Sequence, residues 1–462
     1  MASVTASGIG SGLDITSIVS QLVNAERAPQ ENRLASKEAL IQARLSAYGS
    51  LKSALTTFQS SLSSLKNAET FTKRSATSSD TSVFTATSTA AASAGTYSVQ
   101  VEQLATKHKI ASAAYADNAA VVGAGDLTFT QGTESFTVTI ADGANSLQEI
   151  RDAINSAEDN TGVTANIVTD EDGAHLVFSS TNSGAENAIK VDVVESGATG
   201  LNQLAFDPNN ASPMTEKAAA LDSKIIVDGF TAYSASQKFE GMIEGVTIDV
   251  KKAEPGETFS LAVKLDTASV KKSIEGFVSS YNTLVTTLND LTAYDSEANT
   301  AGLLQGDSAT RSVANKIRQE MGTIVSGLGV ELDSLAELGI TTGDKGKIEI
   351  DSAKLTSVLD TDFANIAGVF SGDNGYATRL DSVIGNITAG GGILDNRTEG
   401  LKAQVERIAE QREALNIRVA AIEARYQAQF SALDTLLGQL NNTGTFLTQQ
   451  LANLPGSVFK SN

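Results

Sequence analysis

Cysteine is absent from all 462 residues, so the chain can form no disulfide, thiolate nucleophile or Cys-ligated zinc site. That absence suits export without oxidative folding but fixes no compartment. Tryptophan is absent too, and aromatic residues reach only 5%. Large aromatic-rich cores are therefore not expected, and small or elongated domains are favoured. Only two histidines occur, His108 and His175. Neither lies in a His/Asp/Glu cluster with ligand spacing, so both read as ordinary surface or strand residues. No stretch approaches the ~18 continuous apolar residues of a transmembrane helix, and membrane insertion is not expected. The opening MASVTASGIGSGLDI has no basic segment and no apolar core, so it is not a Sec signal peptide. Basic residues are the minority, 34 against 54 acidic, for a net charge of −20. Such a surface repels phosphate backbones and anionic lipid heads, which argues against nucleic acid as a partner.

What is present is periodic at both ends. Residues 1–12 are small and polar, with Gly8, Gly10 and Gly12, and cannot bury enough surface to order themselves. Asp14 then reads as the N-cap of a short helix carrying Ile15, Ile18 and Leu22 on one face, widened by Val19 and Val23. Pro29 marks its expected end. A longer helix is expected over 31–66, where Ile41, Leu45, Tyr48, Leu51, Leu55, Phe58, Leu62 and Leu65 step almost wholly by three and four. Gly49 inside it costs about 1 kcal/mol relative to Ala.

The middle changes character. Residues 71–95 are about half Ser and Thr, either a linker or the first polar strands of a β-domain. Alternation begins in GTYSVQVEQLA. Residues 126–180 then give a ββαββ pattern, with turns at Asp142-Gly143 and Asp172-Gly173 and a capping box at Ser146 and Glu149. Further strands are expected at 225–227, 246–250 and 259–265. Asp266 then caps the cleanest helical stripe: Val270, Ile274, Phe277, Tyr281, Leu284, Leu288 and Leu291. Smaller helices follow near 307–321 and 352–370. The last long helix is expected over 398–441, with Leu401, Val405, Ile408, Leu415, Val419, Ile422 and Tyr426 in its seam. Arg412 interrupts that seam, and the phase slips between Tyr426 and Leu433. A break is expected over 441–444, and Phe446, Leu447, Leu451 and Leu454 form a final short apolar face. Exposing each large seam residue forfeits ~1.5–3 kcal/mol. The two ends therefore pair with each other, with sister subunits, or both.

Chemistry is scarce. The Gly-rich stretch at 8–12 lacks the strand, the GK[ST] ending and the ribose-binding acid of a phosphate loop. Asp170 to Asp172 is too short for an EF-hand and reads as a turn. TGDKGKIEID reads as a hairpin. No Ser/His/Asp constellation is apparent. No catalytic, cofactor or metal residue is assigned.

SGIGSGLDITSIVSQLVNAERAP closely resembles the N-terminal motif of the bacterial flagellar filament-capping family, hook-associated protein 2. GTYSVQVEQLA is similar to its next block. SLQEIRDAIN and GVTANIV look like a flagellin-type IN motif, and FVSSYNTLVTTLNDLTAYD, GLLQGDSATR and RYQAQFSALDTLLGQLN resemble the family's C-terminal region. QLNNTGTFLTQQL departs from the family's usual Met-Asn-Ser-type stretch. The resemblance implies an α+β multidomain chain, with terminal helices forming a coiled-coil or bundle leg and two β-rich domains inserted between them. The expected layout is a short-helix segment 1–30, a leg of 31–70 and 267–441, a plate of 71–122 and 233–266, an inserted domain 123–232, and a terminal segment 442–462. It implies a non-enzymatic, cofactor-free protein secreted to the filament tip, where it forms a homo-oligomeric ring, a pentamer by family likeness. Its implied partners are flagellin, the hook–filament junction protein, an export chaperone and the flagellar type III export apparatus. Contacts to sister subunits and flagellin are placed on Leu13, Ile15, Ile18, Leu22, Phe446, Leu447, Leu451 and Leu454. The alternatives are another axial flagellar protein, either a junction protein or flagellin itself, and a coiled-coil surface adhesin.

Overall fold

Asp14 opens the first element: its side chain accepts the Ser17 N–H at 2.9 Å and caps α1, Ile15–Lys66. In the computed structural model, residues 12, 14–297, 299–326, 328 and 332–452 are described. They divide into two units, one of 1–67 and 271–462, the other of 68–270.

The second unit is β-rich. Its elements are β1 (Arg74–Ser78), β2 (Phe84–Ser88), β3 (Gly95–Gln103), β4 (Lys107–Ala111), β5 (Gly125–Gln131), β6 (Glu134–Ile140), α2 (Leu147–Ser156), β7 (Val163–Asp170), β8 (Gly173–Ser183), β9 (Ile189–Glu195), β10 (Thr215–Ala218), β11 (Ser223–Val227), β12 (Phe230–Ser234), β13 (Lys238–Ile243), β14 (Val246–Val250) and β15 (Phe259–Leu265). The Ser/Thr-rich stretch after Phe71 thus resolves into strands. The sheet β1-β15-β3-β11-β12 and the smaller sheet β13-β14-β2 enclose one core, which includes Phe84, Val99, Val101, Ile225, Ile248 and Leu261. The sheets β10-β4-β8-β7 and β6-β5-β9 enclose another, with Phe129 stacked on Phe136 at 5.1 Å and edge-on to Phe178. Helix α2 lays Leu147, Ile150 and Ile154 into that second core behind its capping box, in which the Ser146 hydroxyl accepts the Glu149 N–H and Glu149 accepts the Ser146 N–H.

Strand pairing moves the expected boundary at both ends of 123–232. Strand β4 lies before it yet pairs with β8 and β10, while β11 lies inside it yet pairs with β3 of the other core. Local composition cannot reveal this, because the partners stand about a hundred residues apart. Strands β4, β10, β12 and β13 carry weak alternation and have no counterpart in the sequence expectations, and β9 has none either, although Ile189, Val191 and Val193 alternate with Lys190 and Asp192.

The remaining elements are α3 (Thr267–Thr292), β16 (Tyr294–Asp295), β17 (Thr300–Ala301), α4 (Ser308–Gly322), β18 (Ile340–Thr342), β19 (Ile348–Ile350), α5 (Ser352–Thr361), α6 (Phe363–Ser371), α7 (Tyr376–Thr388) and α8 (Ile393–Ala452). Asp266 accepts the Ser269 N–H and caps α3, and the TGDKGKIEID hairpin is β18 with β19. In the helical unit, Phe58 of α1 lies 5.6 Å from Phe277 and 5.7 Å from Tyr281 of α3, and Phe277 meets Phe370 of α6 at 5.9 Å. Helix α7, unforeseen in the sequence, packs against α1, where Gln59 and Lys66 donate to Asp381, and it buries Leu380, Ile384 and Ile387.

Two expected breaks are absent. Pro29 lies inside α1, which runs unbroken for 52 residues. Proline removes one N–H and crowds the carbonyl four residues back. Here both Pro29 and Ala25 face water, so the freed carbonyl is solvated, while the opposite face stays packed through Val23 and Leu34. Gly444 likewise lies inside α8, whose 60 residues span about 90 Å at 1.5 Å per residue. One glycine weakens a helix by about 1 kcal/mol but does not end it. Beside it, the Thr443, Thr445 and Thr448 hydroxyls each donate to the carbonyl four residues back.

Candidate assembly surface on the terminal helices

Helices α1 and α8 run antiparallel and meet in layers. At the inner end Arg397 of α8 donates to Asp307 at 2.9 and 3.1 Å and to the Tyr48 hydroxyl of α1 at 3.4 Å. Asp307 also caps α4 by accepting the Thr310 N–H. Burial works to raise the Asp307 carboxyl, but the Tyr48 hydroxyl, the Thr310 N–H and Arg397 outweigh it and hold it below the usual carboxylate value. Next comes an apolar stretch with Ile41, Leu401 and Ile408 buried.

A polar layer follows. Arg412 donates through Nε to Glu31 and through Nη2 to Glu38, both at 2.9 Å, and Arg27 donates to the Asn416 side chain at 3.0 Å. Arg412 reads in sequence as an interruption of the seam. In the fold it is the side chain that ties the seam across. Beyond it, Ile15, Val19 and Val23 are buried against Val419, with Leu415, Ile422, Tyr426 and Phe430 packed around them. The N-terminal stretch of α1 therefore has an intramolecular partner.

Seam residues Tyr48, Leu55, Phe58 and Leu62, and Val270, Ile274, Phe277, Tyr281, Leu284 and Leu288 of α3, are buried. Leu45 and Val405 are half-buried. Of the residues assigned to intermolecular contacts, Ile15 is buried inside the α1–α8 pair, Ile18 is half-buried, and Leu22 is exposed. Leu13 and Leu454 lie outside the described residues. Phe446, Leu447 and Leu451 are exposed.

The exposed apolar face of α8 is longer than its sequence suggests. Leu433, Leu436, Leu440, Leu447 and Leu451 follow in steps of three, four, seven and four, which keeps them on one side of the helix. Leu440 is 58% and Leu451 60% exposed. Leu436 and Leu440 escape a reading that follows the stripe only to Leu433. The signal that finds them is the continuation of the leucine spacing through Gly444.

Among the described residues, no group of three or more His, Cys, Asp or Glu could hold a metal ion, and no helix is long and apolar enough to cross a membrane. His108 is wholly buried in β4, and His175 of β8 is half-buried with its Nδ1 2.8 Å from the Ser112 carbonyl.

Known proteins resemble this chain along its whole length. The model described as the flagellar hook-associated protein 2 N-terminus matches residues 11–108, the C-terminus model matches 220–442, and the flagellin hook IN motif matches 126–182. The A-type flagellar hook-associated protein 2 of Pseudomonas aeruginosa is 38% identical, with 99% of each chain covered. The flagellar hook-associated protein 2 of Escherichia coli K12 is 32% identical, covering 98% of this chain and 99% of the relative. Among solved structures, the D1-D2-D3 domains of the flagellar cap protein FliD from Escherichia coli match with a TM-score of 0.62 and 31% identity, over 77% of this chain and 99% of that one.

Proposed function

This chain belongs to the flagellar hook-associated protein 2 family, and from that membership we propose how its terminal helices serve a filament cap. It is a structural protein of the bacterial flagellum, exported to the distal tip of the filament, where it caps the growing end and supports assembly and motility. Its relatives are structural cap proteins, and the chain itself works without turnover or cofactor. In our reading it retains arriving flagellin and promotes its folding and insertion. Copies close into a ring, with five subunits as the working number. An export chaperone, the type III apparatus and the hook–filament junction protein are its partners on the way.

The observation that carries the assignment of contacts is the leucine face of α8 from Leu433 to Leu451, exposed beyond the stretch that α1 covers. An exposed stripe of this regularity on a 60-residue helix suits an amphipathic helical partner, as flagellin or a sister subunit would offer. Replacing Leu436, Leu440 and Leu447 together by Ser tests it. The expected outcome is unchanged helicity and melting temperature, with short or absent filaments by electron microscopy in a cap-deficient strain. Filaments of normal length would refute the assignment.

A further inference from the structure

The polar layer around Arg412 sits where an apolar residue would pack best. Apolar seam residues flank it one heptad away on each side, Val405 and Val419. Its partners Glu31 and Glu38 are themselves one heptad apart on α1, and a single guanidinium spans both at 2.9 Å. Arg27 with Asn416 extends the layer on the side of the Ile15–Val23 cluster.

We propose that Arg412 is a specificity-determining residue: with Glu31 and Glu38 it selects the α1–α8 pairing in one register, against slipped pairings and against like-with-like pairing of these helices between copies. Long amphipathic helices with a heptad stripe satisfy their apolar faces almost equally well after sliding by seven residues. A slide of α8 by one heptad puts Val405 or Val419 against Glu31 and Glu38, and carries Arg412 out of their reach toward an apolar layer. Either move leaves Glu38 and Arg412 half-buried without these partners, and Glu31 with only Arg27 of its own helix at 3.8 Å. Pairing α1 with a second α1 sets Glu31 and Glu38 against acidic residues of their own kind, and pairing α8 with α8 leaves Arg412 with no carboxylate of this layer. Only α1 against α8 in the observed register satisfies all three groups. The selection matters for a chain whose copies gather with other helical proteins at one filament tip. Yet the inference rests on the α1–α8 geometry alone and stands apart from the assignment of the leucine face.

The lack of native cysteine makes a clean test. Val23 and Val419 share one buried cluster, so a V23C/V419C chain reports the observed register, and a V23C/F430C chain, whose second cysteine stands about 16 Å further along α8 at 1.5 Å per residue, reports a slip of one heptad. Under mild oxidation the purified full chain should cross-link efficiently in the first pair and weakly in the second. Adding Arg412→Leu should lower the first yield at least threefold and raise the second. In a single-cysteine V419C background it should also bring up disulfide-linked dimers on non-reducing gels. Persistence of the V23C/V419C product alone, with neither slipped nor dimeric product, overturns the proposal. Should Arg412→Leu unfold the pair by circular dichroism, the exchange Arg412→Glu with Glu31→Arg and Glu38→Arg decides the matter. Recovery of the V23C/V419C cross-link supports selection by charge pairing, and failure to recover it in a folded chain overturns it.

Discussion

His108 shows how much one side chain can carry outside any site. Its ring is wholly buried and packs 5.5 Å from Phe206. The Ile189 N–H donates to Nδ1 at 2.9 Å, so the proton sits on Nε2, which donates to Glu216 at 3.1 Å. The backbone N–H of His108 donates to the Ser180 hydroxyl. One imidazole thus joins β4 and β10 of one sheet to the start of β9 in the other. Burial lowers its pKa, and the opposing pull of Glu216 is smaller. The sign follows. The folded state holds fewer protons than the unfolded one below pH ~6.5. Stability is therefore level above that pH and falls as pH drops toward the folded pKa, by at most about 1.4 kcal/mol per pH unit from this group. Protonating Nδ1 also sets an N–H against the Ile189 N–H. Thermal melts of the full chain between pH 7.5 and 5 should show the β-rich unit losing stability on acidification. His108→Gln keeps an acceptor and a donor without a titration in this range and should flatten the slope. An equal slope in both chains would place the acid sensitivity elsewhere.

At the scale of elements, burial separates residues that periodicity treats alike. Phe58 is fully buried between Phe277 and Tyr281, and its truncation to Ala should cost about 3–5 kcal/mol in urea titrations followed by helical circular dichroism. Leu22 occupies the same kind of stripe but is 42% exposed, so Leu22→Ala should stay within ~0.5 kcal/mol. The stripes themselves were legible from Ile41 to Leu65, from Val270 to Leu291 and from Leu401 to Tyr426, because a spacing of three and four leaves little else for those residues to do. The caps at Asp14, Ser146 and Asp266 were legible for a local reason, since donor and acceptor stand within three residues. What failed was punctuation. Pro29 and Gly444 are strong local signals, but packing along an uninterrupted opposite face carries α1 past Pro29, and one glycine costs too little to end α8. Arg412 failed for the converse reason. Its partners Glu31 and Glu38 stand more than 370 residues away, and no local window contains them. Strand membership in the β-rich unit was hidden in the same way, because strand partners also stand outside any local window.

For the molecule as a whole, the two ends of the chain are not equivalent, and deletions should tell them apart. The stretch from Ile15 to Val23 covers Val419 and its neighbours, so removing residues 1–30 strips the cover from that part of α8 and takes Arg27 from Asn416. Removing 442–462 takes away Phe446, Leu447 and Leu451, which are exposed among the described residues and cover nothing there. Both deletions should abolish capping, seen as lost filament growth and motility in a cap-deficient strain. Only the first should loosen the helical unit, visible as faster amide exchange over 415–430. Neither should disturb the β-rich unit, whose cores draw on residues 76–263. That unit also carries most of the net negative charge, 27 acidic against 12 basic residues over 68–270, which favours solubility in a truncated chain. Exchange that stays slow over 415–430 after loss of residues 1–30 would mean that α8 holds this stretch without α1. Normal filament growth after either deletion would refute the role given to the terminal helices.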